Sequence, residues 1–273
     1  MTSRAGAIES ELGSVTGTLE KALRAGREAG RKLLVPYVTG GMSPDWVDVV
    51  HAVAAAGADA VEIGIPFSDP MIDGPTIQRA SLMALEGGAT PGGILDSLRR
   101  AEVGIPLAVM TYYNIVFRTG HRRFARSLVE SGVSGAIVPD LPLEEAREWC
   151  EEAEEAGVET VLLVAPSTPP ERARQICERS RGFVYAVGRM GVTGERDQLA
   201  SSAAVVARLV KGVTDLPVCV GIGVSTAAQA VQVCSEADGV VVGSALVRRL
   251  IDGEGPEGAA RFVAELRSAI DGT

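Results

Sequence analysis

A glutamate inside a short apolar run is the first residue of chemical interest. In Ala60-Val61-Glu62-Ile63-Gly64-Ile65 the branched residues share one face of a strand, and Glu62 shares the other with Ala60 and Gly64. If the bulky face meets covering helices, Glu62 points into the interior of a barrel. A carboxylate there is poorly solvated, which raises its pKa toward the range useful for proton transfer. A glutamate paired with an arginine within packed barrel layers is the open alternative on periodicity alone. The connection that follows, Pro66-Phe67-Ser68-Asp69-Pro70-Met71-Ile72-Asp73-Gly74-Pro75, is long and carries two acids and three prolines. Long loops at strand ends usually carry function. Asp-Pro and Asp-Gly are also ordinary turn formers, a reading that suits Asp69 before Asp73.

Three later segments are rich in glycine: Gly188 to Gly194, Gly221-Ile222-Gly223-Val224-Ser225, and Gly243-Ser244-Ala245. The last two follow apolar runs and lead into helical patterns. Backbone N–H groups and a helix dipole at such places can hold a phosphate. The first has the composition of a lid. Absences narrow the chemistry further. The only lysines are Lys21, Lys32 and Lys211, none at a strand end suited to catalysis, so Schiff-base chemistry and a covalently held pyridoxal phosphate are not expected. The only histidines, His51 and His121, fall in helical patterns, so no metal site is expected. What remains is acid/base chemistry by carboxylates, with tyrosines as possible helpers.

These residues need a frame to hold them. Eight apolar runs recur: Leu33–Val38, Ala60–Ile65, Leu107–Tyr112, Gly135–Val138, Thr160–Val164, Phe183–Val187, Val218–Gly221 and Gly239–Val242. Each is followed by an amphipathic segment, which implies parallel strands covered by helices. Eight such units in 273 residues point to an α/β fold of the (β/α)8 TIM-barrel type, with an open doubly wound sheet as the competing architecture. Active sites in such barrels lie at the C-terminal ends of the strands. Residues 18–273 form the single barrel domain, opened by a short leading helix from Thr18 to about Ala29; residues 1–17 read as a loosely held tail. Ser43-Pro44 and the pair Thr168 and Glu171 have the spacing of helix caps.

The balance of the chain excludes several functions. Its formal charge is −9 and it has no basic stripe, so nucleic acid is not an expected partner. Cys150, Cys177, Cys219 and Cys234 lack metal or disulfide spacing and suit buried positions in a reducing compartment. No run of about 18 apolar residues suggests a membrane span, and no secretory leader is evident, so a cytoplasmic location is expected.

The segment Glu62 to Pro70, continuing through Asp73-Gly74-Pro75-Thr76-Ile77-Gln78, closely resembles the signature of tryptophan synthase α subunits. The likeness continues at Pro36-Tyr37-Val38-Thr39, Met110-Thr111-Tyr112-Tyr113-Asn114, Val138-Pro139-Asp140-Leu141-Pro142, Arg189 to Gly194, Gly221 to Gly223 and Gly243-Ser244, spanning roughly residues 18 to 271. The resemblance implies a carbon–carbon lyase that cleaves indole-3-glycerol phosphate to indole and glyceraldehyde 3-phosphate, in tryptophan biosynthesis. It makes Glu62 the proton-transferring residue and Asp73 the partner of the indole N–H. It makes Thr193 the lid threonine, places Tyr185 near Glu62, and puts Tyr37 and Tyr112 in the indole pocket. Gly194, Gly223, Gly243 and Ser244 match phosphate-binding positions, and Ile222 stands in the pocket wall where an aromatic residue is common. Met71-Ile72 replaces a more usual Leu-Ala. The resemblance also implies a β subunit that carries pyridoxal phosphate, in a heterotetramer of two α and two β subunits. This chain would have no cofactor of its own. The loop after the second strand and the segment Asn114 to Arg118 would meet that subunit. A stand-alone lyase would carry the same motifs, and a catalytically silent regulatory subunit would have lost Glu62 or Asp73. The related indole-glycerol phosphate synthase barrel relies on strand-end lysines that are missing here.

Overall fold

The computed structural model describes residues 16–188, 196–221 and 223–272, with residues 196–203 described as backbone only. Eight parallel strands close into one barrel in sequence order. In chain order the elements are α1 (Thr18–Glu28), β1 (Leu33–Thr39), α2 (Trp46–Ala55), β2 (Val61–Gly64), α3 (Pro75–Glu86), α4 (Pro91–Ala101) and β3 (Leu107–Met110). They continue with α5 (Tyr113–Thr119), α6 (His121–Glu130), β4 (Val133–Ile137), α7 (Arg147–Ala156), β5 (Glu159–Val164), α8 (Pro170–Arg179) and β6 (Val184–Val187). The last are α9 (Arg196–Lys211), β7 (Val218–Gly221), α10 (Ala227–Cys234), β8 (Gly239–Val242), α11 (Ser244–Ile251) and α12 (Gly255–Asp271). All eight expected strands form, and the closed ladder from β8 back to β1 rules out the open doubly wound sheet.

Alternation along the strands divides the interior in two. Val61, Ile63 and Ile65 pack outward with Trp46, Val49 and Val53 of α2, in the layer between barrel and helices. Ala60, Ala108, Ile137, Val161, Phe183, Cys219 and Val241 point inward and fill the lumen. Glu62 lies between Val61 and Ile63 and is 1% exposed, so it falls on the inward face, as its sequence position implies.

α1 closes the lower end. Leu19 and Leu23 are fully buried in the lumen cluster, each worth roughly 1.5–3 kcal/mol by transfer. The N–H groups of Leu19 and Glu20 donate to the Glu159 carboxylate at 2.7 and 2.8 Å, satisfying two otherwise open donors of the first turn. α12 is tied to the same end, where Arg267 donates to Asp59 at 3.1 Å and to the Lys32 carbonyl at 2.7 Å.

Two helix starts differ from the sequence expectation. α2 begins at Trp46 with Asp45 at the N-cap, and Ser43-Pro44 lie in the turn before it, where the Ser43 carbonyl accepts the Trp46 N–H at 3.3 Å. Ahead of α8 the N-cap is Pro169, and Thr168 Oγ1 accepts the Ala165 N–H at 3.0 Å instead. The hydroxyl closes the turn after β5, so the Thr168–Glu171 box does not form. Working side-chain caps occur at Thr90 of α4 and Thr226 of α10. Among the described residues no helix is long and apolar enough to cross a membrane. The tail reading of residues 1–17 falls almost wholly outside the described residues.

Candidate active site

The predicted residues within the described segments gather at the C-terminal mouth of the barrel. Glu62 projects from β2 with its Oε2 buried and without a hydrogen-bond partner among the described residues. Burial pushes its carboxyl up to about 8, and the nearby charge of Asp73 adds to that. Among the described residues no arginine pairs with it, the alternative that periodicity left open. Asp73 stands half-buried near the end of the β2–α3 loop. Burial raises its pKa, and a hydrogen bond from the Tyr112 hydroxyl opposes the rise. Asp69 lies at the surface and accepts from the Ser68 hydroxyl at 2.5 Å, which fits the turn reading given to it.

Tyr112 fixes this loop. It ends the β3 connection as the N-cap residue of α5 and is buried. Its hydroxyl accepts the Ile72 N–H at 3.2 Å, and its ring stacks on Phe67 at 5.0 Å with planes 21° apart. One side chain therefore holds both ends of the acidic loop. Tyr37 of β1 and Tyr185 of β6 complete the walls. Both are held far above the ordinary phenol range by burial, and both feel the charges of Glu62 and Asp73. Glu62, Asp73, Tyr37, Tyr112 and Tyr185 thus share one electrostatic neighbourhood.

Two inward glycines make room for these rings. The space a Cβ on Gly64 would need is filled by the Tyr37 phenol, and that of Gly221 by the Tyr185 ring. Neither glycine, nor Thr39, nor Phe67 was singled out as a site residue on sequence grounds. An inward glycine two residues beyond Glu62 is itself a signal of close approach.

The phosphate-type segments lie across the mouth. Gly243 is the N-cap residue of α11 and Ser244 its first residue, with no side chain capping the first-turn N–H groups. A Cβ on Gly243 would meet nothing nearer than Tyr37 at 3.5 Å. Gly223 follows β7 with φ +74°, a conformation glycine adopts without strain. Open N–H donors at a helix start favour an anion. Thr193, Gly194 and Ile222 lie outside the described residues. A groove of about 340 Å³ between Met42, Met83 and Ile94 lies off this centre and contains none of the predicted residues. Among the described residues no cluster of His, Cys, Asp and Glu could hold a metal ion.

Comparison with known proteins places the chain in a family. The family model described as tryptophan synthase alpha chain matches residues 23–270. The tryptophan synthase alpha chain of Streptomyces coelicolor is 43% identical over 263 residues, covering 93% of this chain and 97% of that one. That of Halorhodospira halophila is 45% identical over 258 residues, covering 92% and 93%. Among solved structures, tryptophan synthase of Mycobacterium tuberculosis superposes with a TM-score of 0.86 at 41% identity, covering 94% of this chain and 99% of that one. Tryptophan synthase subunit alpha of Legionella pneumophila gives 0.86 at 32% identity, covering 95% and 100%. With a closed barrel, a buried acid at its mouth and relatives matched over nearly their whole length, the chain belongs to the tryptophan synthase alpha chain family.

Proposed function

We propose that Glu62 and Asp73 carry the lyase reaction of this family, the release of indole and glyceraldehyde 3-phosphate from indole-3-glycerol phosphate. The observation that carries the assignment is the buried Glu62 carboxyl, unpartnered at Oε2 among the described residues and pushed up to about 8 by burial, which keeps a proton available at neutral pH. The protonated acid gives its proton to indole C3. Positive charge then develops at the ring nitrogen, whose N–H meets the Asp73 carboxylate. The Glu62 carboxylate next removes the proton of the hydroxyl on the chain carbon attached to C3. The C–C bonding pair returns to the ring as the aldehyde forms, and Glu62 ends protonated as it began. Tyr37 and Tyr112 line the ring pocket, and Tyr185 stands near Glu62. Gly223, Gly243 and Ser244 hold the phosphate; the family resemblance adds Gly194 to that set and assigns Ile222 to the pocket wall and Thr193 to the lid.

The partner we assign is a tryptophan synthase β subunit, in a heterotetramer, with pyridoxal phosphate belonging to that subunit. Met71, Ile72 and Phe117 are large apolar side chains left 92, 49 and 64% exposed on the β2–α3 loop and α5, which supports a protein neighbour there. Four free, buried cysteines suit the cytoplasm.

The test is indole release from indole-3-glycerol phosphate by the purified chain, alone and with a β subunit. Weak activity that rises strongly with the partner is expected. High activity indifferent to it would make the chain a stand-alone lyase, and no activity in either case a regulatory subunit.

A further inference from the structure

Tyr37 stands between the two halves of the site. In the closed barrel, β1 lies between β8, whose end bears the phosphate-type segment, and β2, which carries Glu62. Tyr37 and Glu62 are register partners on β1 and β2, and Thr39 pairs with Gly64 one step further toward the mouth. The Cβ end of Tyr37 approaches Gly243, and its phenol leans into the position left empty by the missing Gly64 side chain. Gly64 shares the inward face with Glu62, so the Tyr37 oxygen is delivered into the lumen in the layer directly above the carboxylate.

That oxygen has one hydrogen-bond partner among the described residues. The hydroxyl of fully buried Thr39 donates to it at 3.5 Å. With Thr39 as donor, the Tyr37 O–H is left without an acceptor among the described residues. The phenol is held protonated by its burial. A neutral donor with a free proton therefore sits on the path from the phosphate cradle to the acid.

We propose that Tyr37, admitted by Gly64, is a specificity-determining residue that donates a hydrogen bond to the middle hydroxyl of the substrate's glycerol chain. This rests on the assignment of indole-3-glycerol phosphate as substrate. That chain must run from the anion at β8 to the scissile carbon beside Glu62, and β1 is the strand it passes. The role differs from lining the indole pocket, which needs only the ring.

The test pairs cleavage with binding of an analogue. Tyr37→Phe keeps the ring and removes the donor. kcat/KM for indole-3-glycerol phosphate is expected to fall about 10-fold, the effect of one neutral hydrogen bond, while the Kd of indole-3-propanol phosphate, which lacks both glycerol hydroxyls, stays within about twofold by calorimetry. An unchanged kcat/KM, or an equal loss on the analogue, overturns the proposal and leaves Tyr37 as wall alone. A wild-type chain that binds the analogue and cleaves the substrate keeps the substrate assignment in place whatever the variant does. A wild type that does neither overturns both.

Discussion

The Tyr112 hydroxyl accepts the backbone N–H of Ile72 at 3.2 Å while its proton is shared with the Asp73 carboxylate. One phenol thus fixes the backbone beside Asp73 and tunes its charge. Tyr112→Phe keeps the stack on Phe67 and loses both bonds. Because the lost bond favours the charged form, the pKa of Asp73 rises further. Asp73 acts as a carboxylate, so the acid limb of the kcat profile should move to higher pH, with roughly 10-fold lower kcat at neutral pH. A profile that keeps its acid limb would remove Tyr112 from this role.

Glu62→Gln should lower turnover by about 10³-fold, the usual scale for a lost general acid and base, while the substrate still binds. The same variant reports on stability. Glu62 titrates near 8 when folded, against an ordinary value of 4.5, so the unfolded chain binds fewer protons between those limits. Folding is therefore penalised increasingly as pH rises from 4.5 through 8, and the penalty is absent below 4.5. The Tm advantage of Glu62→Gln should grow to a few degrees by pH 8–9. Equal Tm differences at pH 5 and pH 9 would contradict a buried, uncompensated carboxyl.

Gly243 tolerates a methyl group sterically but not an anion. Gly243→Ala should change KM little, because its Cβ makes ordinary contact with Tyr37. Gly243→Asp places a like charge beside the phosphate and should raise KM by about two orders of magnitude. If the two variants behave alike, the phosphate lies elsewhere.

Phe117 touches the Tyr113 ring at 6.0 Å between centroids and leaves most of its own ring exposed. Phe117→Asp should weaken association with the β subunit by about 10-fold or more, read as the concentration giving half-maximal stimulation of indole release. Stimulation at the wild-type concentration would move the contact surface off α5.

Much of this was legible in the chain. Apolar runs with the period of strands located β1 to β8, because buried parallel strands leave continuous apolar segments. Glu62 was visible as a charge on the inward face of one of them. Its isolation was not, since periodicity cannot tell a paired barrel carboxylate from an unpaired one. The service of Gly64 and Gly221 to Tyr37 and Tyr185 was also hidden: each pair joins residues from neighbouring strands, and only the pairing of β1 with β2 and of β6 with β7 brings them together. The cap at Thr168 failed for a related reason. Its hydroxyl accepts from Ala165, three residues back, whereas local spacing points only forward to the helix.

The junction of α1 with Glu159 has a consequence for synthesis. Leu19 and Glu20 leave the ribosome about 140 residues before their acceptor, a wait of roughly 10–30 s at ordinary elongation rates. During that interval β1 to β4 have no partner to close with, and the leucines of α1 have no lumen to enter. The barrel is therefore plugged late, by the part of the chain made early. A nascent chain stalled before residue 159 would present Leu19 and Leu23 to solvent and to chaperones, so the first turn of α1 is among the last to find its place.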